Sequence, residues 1–314
     1  MTEDSRGYAR TTPHRSLSGK IRAVHPYLLH NGEIRDTRET LLSPGQVGFL
    51  NGWGVFSTLR VSHGVLFAFE RHYARMQRDA ELIRVPFHLS PEELSTALAS
   101  LVEANAAREA VLRVAVIRNK GGLFEGPALT RDFDLIAFTA DLADWGTGAH
   151  LTYLADARFG ASRFSGAKIT SWAQNLTCYE IAREQGYDEV ILLNEHGQIS
   201  ECTSANIFVI KGQEVLTPPL SNSGCLPGVT RAILLEQIHL DRVQISEREL
   251  TPSELEDGDT VFLTSTTRDL LPVLTVDGFP LRRERTVFSL LTKAFAAYQR
   301  LYVDQASYRH LVTS

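Results

Sequence analysis

The sequence holds only three cysteines, Cys178, Cys202 and Cys225, among 314 residues. They are odd in number and form no Cys-x-x-Cys pair, which argues against a disulfide framework or a cysteine zinc site and fits a reducing, cytoplasmic compartment. The ten histidines include no His-Glu-x-x-His, and no metal is expected. Long apolar runs are missing too: none approaches the roughly 18–20 residues that span a bilayer, so no membrane partner is expected. Nor is there a basic surplus. Lys and Arg total 32 against 37 Asp and Glu, a net charge of −5, which argues against nucleic acid as a partner. Lysine is scarce: Lys20, Lys120, Lys168, Lys211 and Lys293 are the whole set.

With 43% apolar residues, the chain can bury a large core in one or two domains. Residues 1–25 scatter Arg6, Arg10, Arg15, Lys20 and Arg22 among Ser, Thr and Gly; without the apolar middle of a secretory signal they read as a flexible tail. Asn31-Gly32 between Tyr27–Leu29 and Glu33–Arg35 predicts a hairpin, because both turn positions tolerate positive φ. Val55–Val61 and Val65–Phe67 read as strands joined at His63-Gly64. Phe69, Tyr73, Met76, Ala80 and Ile83 then recur at helical spacing, and Ser90-Pro91-Glu92-Glu93 is a capping box opening a second helix to about Ala106. Strands follow at Val111–Arg118 and Asp134–Thr139.

Residues 140–150 break every period and are expected to be a linker between a small domain, 26–139, and a larger one, 151–302. Beyond them the pattern predicts strands at Leu151–Ala155 and Glu189–Asn194, a helix near Ser171–Gln185 and a strand pair reaching Ile210. A helix is expected over Gly228–Leu240, strands near Arg242–Ser246, Val261–Thr264 and Val273–Val276, a last helix from about Arg285 to Leu301, and a tail over 303–314. This is a mixed α/β (α+β) chain, too rich in hairpin-linked strands for a doubly wound sheet.

Two nucleotide-site motifs fail. Gly52-Trp53-Gly54 lacks the third glycine of a dinucleotide fingerprint, Ser57 standing in its place, and Gly166-Ala167-Lys168 lacks the flanking Gly and Ser or Thr of a phosphate loop. Cys202 reads as a small core residue. A buried lysine can form a Schiff base with a carbonyl cofactor, because burial favours the neutral, nucleophilic amine. Lys20 lies in the tail, Lys211 in a polar turn, Lys120 in a loop and Lys293 on an exposed helix face. Lys168 has small and apolar neighbours, although on these residues alone a surface lysine at a strand end is the commoner reading. Leu226-Pro227-Gly228-Val229-Thr230-Arg231 offers a helix N-terminus suited to phosphate, or simply a helix start. Glu201 lies in a strand that turns strongly apolar, either buried and paired or facing solvent.

In order along the chain, these pieces resemble the fold-type IV pyridoxal-phosphate enzymes, the group of branched-chain aminotransferases, D-amino-acid aminotransferases and aminodeoxychorismate lyases. The resemblance rests on Asn31-Gly32-Glu33, Gly54-Val55-Phe56 with Arg60, His72-x-x-Arg75-Met76, Ala167-Lys168, Gly186-Tyr187-Asp188-Glu189, Glu201 with Asn206, Thr217-Pro218 and Leu226–Arg231. It implies a small α/β N-terminal domain, a larger domain with a mixed, barrel-like sheet, and a homodimer. It also implies that Lys168 binds the aldehyde of pyridoxal 5′-phosphate and acts as the proton-transfer base. Glu201 would pair with the pyridine nitrogen; Arg75, Val229, Thr230 and Thr266 would hold the phosphate; Leu226 would lie against the ring. Arg60, Arg113 and Thr267 are the candidates for substrate, since guanidinium grips carboxylate with paired hydrogen bonds. Arg113 and Arg118, five apart on one strand, should point to opposite faces. The implied reaction passes an amino group from an amino acid, by family frequency a branched-chain one, to a 2-oxo acid in a ping-pong cycle. Asn51 and Ser57-Thr58 depart from the branched-chain pattern, and Phe56–Val61 looks more like the lyase branch, whose members release pyruvate.

Overall fold

Asn31 and Gly32 take φ of 53° and 87°, and the chain reverses there between β1 (Val24–His30) and β2 (Glu33–Asp36). A short helix, α1 (Val47–Asn51), leads into β3 (Gly54–Ser62), which turns at His63-Gly64 into β4 (Val65–Leu66). Two helices, α2 (Phe69–Leu82) and α3 (Pro91–Ala104), precede β5 (Ala110–Arg118) and β6 (Phe133–Ala140). The expected box opens α3: Ser90 Oγ accepts from the Glu93 N–H at 3.1 Å, and Glu93 accepts from the Ser90 N–H at 2.7 Å. The six strands form one antiparallel sheet in the order β2-β1-β6-β5-β3-β4. Its core sets Met76, Leu94, Leu98 and Leu101 of the helices against Leu59, Val61, Leu112 and Val114 of the sheet. Burying each such leucine is worth roughly 1.5–3 kcal/mol. This computed structural model describes residues 23–38, 46–122 and 130–313, with side chains to 306; the expected N-terminal tail lies, through residue 22, outside them.

The second half runs β7 (Ala149–Arg158), α4 (Ala173–Glu184), β8 (Glu189–Asn194), β9 (Ile199–Cys202), β10 (Asn206–Lys211), β11 (Glu214–Thr217) and α5 (Val229–Glu236). It continues with β12 (Gln244–Glu247), α6 (Pro252–Glu256), β13 (Thr260–Ser265), β14 (Asp269–Val276), β15 (Phe279–Pro280) and α7 (Thr286–Thr313). These nine strands form a curled, mixed sheet in the order β12-β11-β10-β13-β14-β7-β8-β9, with β15 beside β14. Pairing is parallel at β11/β12, β14/β7 and β7/β8. Helices α5 and α7 bury Ile233, Leu234, Leu291 and Phe295 against Phe208 and Phe262, whose rings stack with centroids 5.1 Å apart.

Four boundaries differ from the sequence expectation. The expected 140–150 linker is strand at both ends, Ala140 closing β6 and Ala149-His150 opening β7. Helix α5 stops at Glu236 rather than Leu240, because Ile238 reaches the same core from the turn that follows and satisfies the apolar spacing without helix. The last helix does not give way to a tail at 303: it runs to Thr313, held by buried Val303 and by the Tyr302 hydroxyl, which donates to Glu70 at 2.7 Å. Strand β1 begins at Val24, inside the segment read as tail. The five-residue helices α1 and α6 are too short for periodicity to announce.

The two sheets are joined at a seam. Strand β4 covers β3 only at Val61 and Ser62, which leaves the other end of β3 with an open edge. Residues 168–170 take that edge: the Phe56 N–H donates to the Lys168 carbonyl at 3.1 Å, and the Thr170 N–H donates to the Gly54 carbonyl at 2.9 Å. Near the far wall, Arg268 donates to Glu189 at 3.0 Å, both buried, and Glu189 also accepts from Thr203 and Ser204. Replacing Arg268 by Leu strands that carboxylate, and urea unfolding should show a loss of about 3–5 kcal/mol; a loss under about 1 kcal/mol would remove this pair from the structural account.

Candidate active site

Helix α2 carries two ridges. The apolar one predicted by periodicity faces the first sheet; the other sets His72, Arg75 and Asp79 at spacings of three and four, and all three are buried. This is why Arg75 falls beside the apolar stripe and yet lies inside the protein. Its Nη2 donates to Ser57 Oγ at 2.8 Å, and its Nη1 lies 3.4 Å from the Pro227 carbonyl. Ser57 Oγ also sits 2.8 Å from His72 Nδ1. Arg75 Nη2 also faces Nδ1, at 3.5 Å; with a guanidinium donor on that side, Nδ1 is assigned as the acceptor of the Ser57 hydroxyl, which makes His72 the Nε2–H tautomer. Burial, and then the Arg75 and Lys168 charges, hold His72 well below the usual histidine pKa.

The seam presents Lys168 to a cavity of about 610 Å3 between the sheets, a volume ordinary for a small-molecule site. The lysine keeps some contact with the cavity while its amine lies deep, 4.6 Å from the Phe56 ring centroid and 5.6 Å from that of Trp172. Burial, reinforced by Arg75 and Arg113 and opposed by Glu201 and Asp79, brings its pKa down to about 7. Near neutral pH a substantial share of this amine is therefore unprotonated and nucleophilic. The bulky helix partner of this segment is Asp79, whose Oδ2 accepts the Lys168 main-chain N–H at 3.0 Å.

Across the cavity Glu201 of β9 is buried. Its Oε2 accepts the Leu226 N–H at 3.0 Å, and its Oε1 lies 3.4 Å from Arg158 Nη2. Burial raises its pKa, with Arg158 and the Leu226 N–H pulling the other way. Leu226 leads through Pro227-Gly228 into α5. Asn206 Nδ2 donates to the Leu226 carbonyl at 2.8 Å, and a Cβ at Gly228 would lie 2.0 Å from Asn206 Oδ1, so only glycine fits. The first N–H groups of α5 have no acceptor within the helix, and that end carries the positive pole of its dipole. Val229 and Thr230 bring it to the cavity.

Of the residues singled out in the sequence, Arg75, Arg113, Lys168, Glu201, Leu226, Val229, Thr230, Thr266 and Thr267 all line this one cavity. Arg60 does not. It projects farther along β3 and pairs with Asp269 at 3.5 Å, so the structure does not bring it together with the other candidates: strand alternation gave its face but not the carboxylate awaiting it there. Arg113 stacks on Phe56 at 3.9 Å from the ring centroid and has no anionic partner among the described residues. Arg118 points the other way, over Trp53 at 4.3 Å. Sequence reasoning missed Ser57, Asp79, Arg158 and Asn175, the last accepting from Arg158 Nη2 at 3.2 Å in the cavity lining; the one available signal was the polar 72-75-79 spacing on α2.

The amino-transferase class IV family model matches residues 54–276, well over half the chain, so this is an enzyme that transfers amino groups. D-alanine aminotransferase of Bacillus licheniformis is 28% identical over 255 residues, covering 80% of this chain and 88% of that protein. Branched-chain-amino-acid aminotransferase of Escherichia coli K12 is 26% identical over 273 residues, covering 80% and 85%. A crystal structure of Escherichia coli branched-chain amino acid aminotransferase superposes with a TM-score of 0.80 at 25% identity, covering 88% of this chain and 95% of that one. The chain belongs to the class IV aminotransferases.

The Ser57–His72 geometry generates a spectroscopic expectation. In nitrogen-15 spectra His72 should keep the shifts of a neutral Nε2–H imidazole from pH 8 down to about pH 6; neutral-form shifts with the proton on Nδ1 would show the hydroxyl bonded the other way, and a midpoint near the ordinary histidine value of roughly 6.5 would remove the burial of a neutral ring from the account.

Proposed function

We propose that the chain moves an amino group from an amino acid to a 2-oxo acid in a ping-pong cycle, using pyridoxal 5′-phosphate bound through Lys168. The observation that carries this reading is a half-buried lysine whose amine lies over Phe56, its pKa brought down to about 7, sharing one cavity with the buried carboxylate of Glu201 and a helix tip. The cavity fits such a cofactor in a further respect. Arg75 Nε and Thr264 Oγ1 are buried there without a hydrogen-bond partner, and an unpaired buried polar group costs roughly 1–3 kcal/mol unless something polar arrives.

Arg75, with Thr266 and the Val229-Thr230 N–H groups of α5, would hold the phosphate, and Leu226 would lie against the ring. When bound, the cofactor supplies an electron-withdrawing ring that stabilises negative charge at the substrate α-carbon. Glu201 would keep a proton at the ring nitrogen, its carboxylate held in place by the Leu226 N–H. The Lys168 amine would accept the proton of the substrate α-carbon and give it back; a pKa close to working pH suits both directions. Arg113 would bind a substrate carboxylate together with Thr267, and its guanidinium lies over the Phe56 ring in the cavity lining. Branched-chain amino acids are the proposed donors. The proposed assembly is a cytoplasmic homodimer, supported by Phe159 and Phe164, which line the cavity yet are 62% and 51% exposed.

The purified protein should be yellow, lose its colour on borohydride reduction, and carry the reduced adduct on Lys168 by peptide mapping. Lys168→Ala should abolish turnover with the fold intact, and Glu201→Gln should slow proton abstraction by about a hundredfold or more. Turnover of a branched-chain amino acid must require a 2-oxo acid acceptor. Pyruvate release from aminodeoxychorismate with no acceptor present would assign lyase activity instead, and full turnover by the Lys168 variant would overturn both.

A further inference from the structure

Asp79 is 1% exposed, yet it is a carboxylate on a helix that faces two cationic side chains of the site. Such a group stays buried only if its oxygens are satisfied, and here they are satisfied in one particular way. Oδ2 accepts the main-chain N–H of Lys168 at 3.0 Å, and Oδ1 accepts Nε of the neighbouring Arg78 at 2.9 Å. Arg78 in turn donates through Nη2 to the Gly166 carbonyl at 3.1 Å. One helical turn thus grips the chain on both sides of Ala167, and Gly166 is itself confined, with φ of 75° and a Cβ position 2.8 Å from the Cys225 carbonyl. The same helix supplies Arg75 four residues earlier. On its other side the lysine segment is held by β3 at the seam.

We propose that Asp79 is a positioning residue for Lys168: its carboxylate fixes the lysine backbone to the helix that carries Arg75, so that amine and guanidinium share one frame. This rests on the assignment of Lys168 as the reacting amine. The Lys168 side chain must change place during a cycle in which it is first bound and then free, and it can do so reproducibly only from a fixed Cα; displacement of about 1 Å at such a group can cost on the order of a hundredfold in rate. The carboxylate has a second effect. The charged groups around the amine are Arg75 and Asp79 on α2, Arg113 on β5 and Glu201 on β9; His72 is neutral, Arg158 is engaged by Glu201, and Arg78 is spent on Asp79. With two cations against two anions, removal of Asp79 leaves the amine facing a net positive surround and makes it less basic.

Asp79→Asn and Asp79→Ala separate these effects. Asn keeps an oxygen for the Lys168 N–H while its amide turns toward half-exposed Arg78, which can swing outward; Ala keeps neither bond nor charge. The first measurement uses the cofactor-free full chain: competitive acetylation of Lys168 against pH, read by peptide mass spectrometry. The midpoint, near 7 in the unaltered protein, should fall by about half a unit or more in both variants. The second is turnover per bound cofactor: Ala should lose about tenfold or more in kcat with KM nearly constant, and Asn should recover most of that loss. An unmoved midpoint together with unchanged kcat in Asp79→Ala, with only a lower Tm, would reduce Asp79 to a structural role and overturn the proposal. The acetylation measurement needs no cofactor. A failure of borohydride to mark Lys168 would therefore refute the proposed function without deciding the Asp79 contact.

Discussion

Everything at the site depends on the edge pairing of residues 168–170 with β3. Two main-chain hydrogen bonds, Phe56 to Lys168 and Thr170 to Gly54, join a segment of the second half of the chain to the first sheet. They set the Lys168 amine over Phe56, at the floor of a space that neither sheet encloses alone. Backbone pairing is a strict way to place a side chain, since a slip of one residue would send the lysine to the opposite face. The seam also explains why so short a strand as β4 is useful: by ending at Leu66 it leaves the edge of β3 open where the lysine segment arrives.

Around that floor the charges are set against one another. Arg75, Arg113 and Lys168 face Glu201 and Asp79, while Arg158 restrains Glu201. An ammonium in such company is costly to bury, and the protein lowers that cost by making the amine a weaker base. The same burial that depresses the lysine raises the glutamate. Each group is thereby moved toward neutrality, and each is ready to exchange a proton or pair with a charged guest.

The helices and hairpins of the first sheet were legible because their determinants are local. Asn31-Gly32 fixes a turn by itself, and the Ser90–Glu93 box marks a helix start within four residues. Elimination among five lysines only made Lys168 a candidate, and the Leu226–Arg231 run read as well as a plain helix start; the ordered family resemblance singled both out. Arg75 was not legible from periodicity, since α2 buries a polar ridge beside its apolar one, and only a family resemblance pointed to it. Arg60 shows the opposite failure: its strand position was sound, but Asp269 lies more than two hundred residues away in sequence, and nothing local announces that pairing. The seam was invisible for the same reason, as was the contact of Asp79 with the lysine segment, which is made to a main-chain N–H that composition cannot suggest.

The stretch between the sheets is more than a tether. Trp145 lies there, stacked on Arg268 at 3.9 Å and donating its indole N–H to the Thr267 carbonyl at 2.9 Å. The connector is thus bolted to the cavity wall opposite the lysine, through a side chain whose light emission is sensitive to its surroundings. Any movement of the connector would be handed through that indole to Thr267, which lines the cavity.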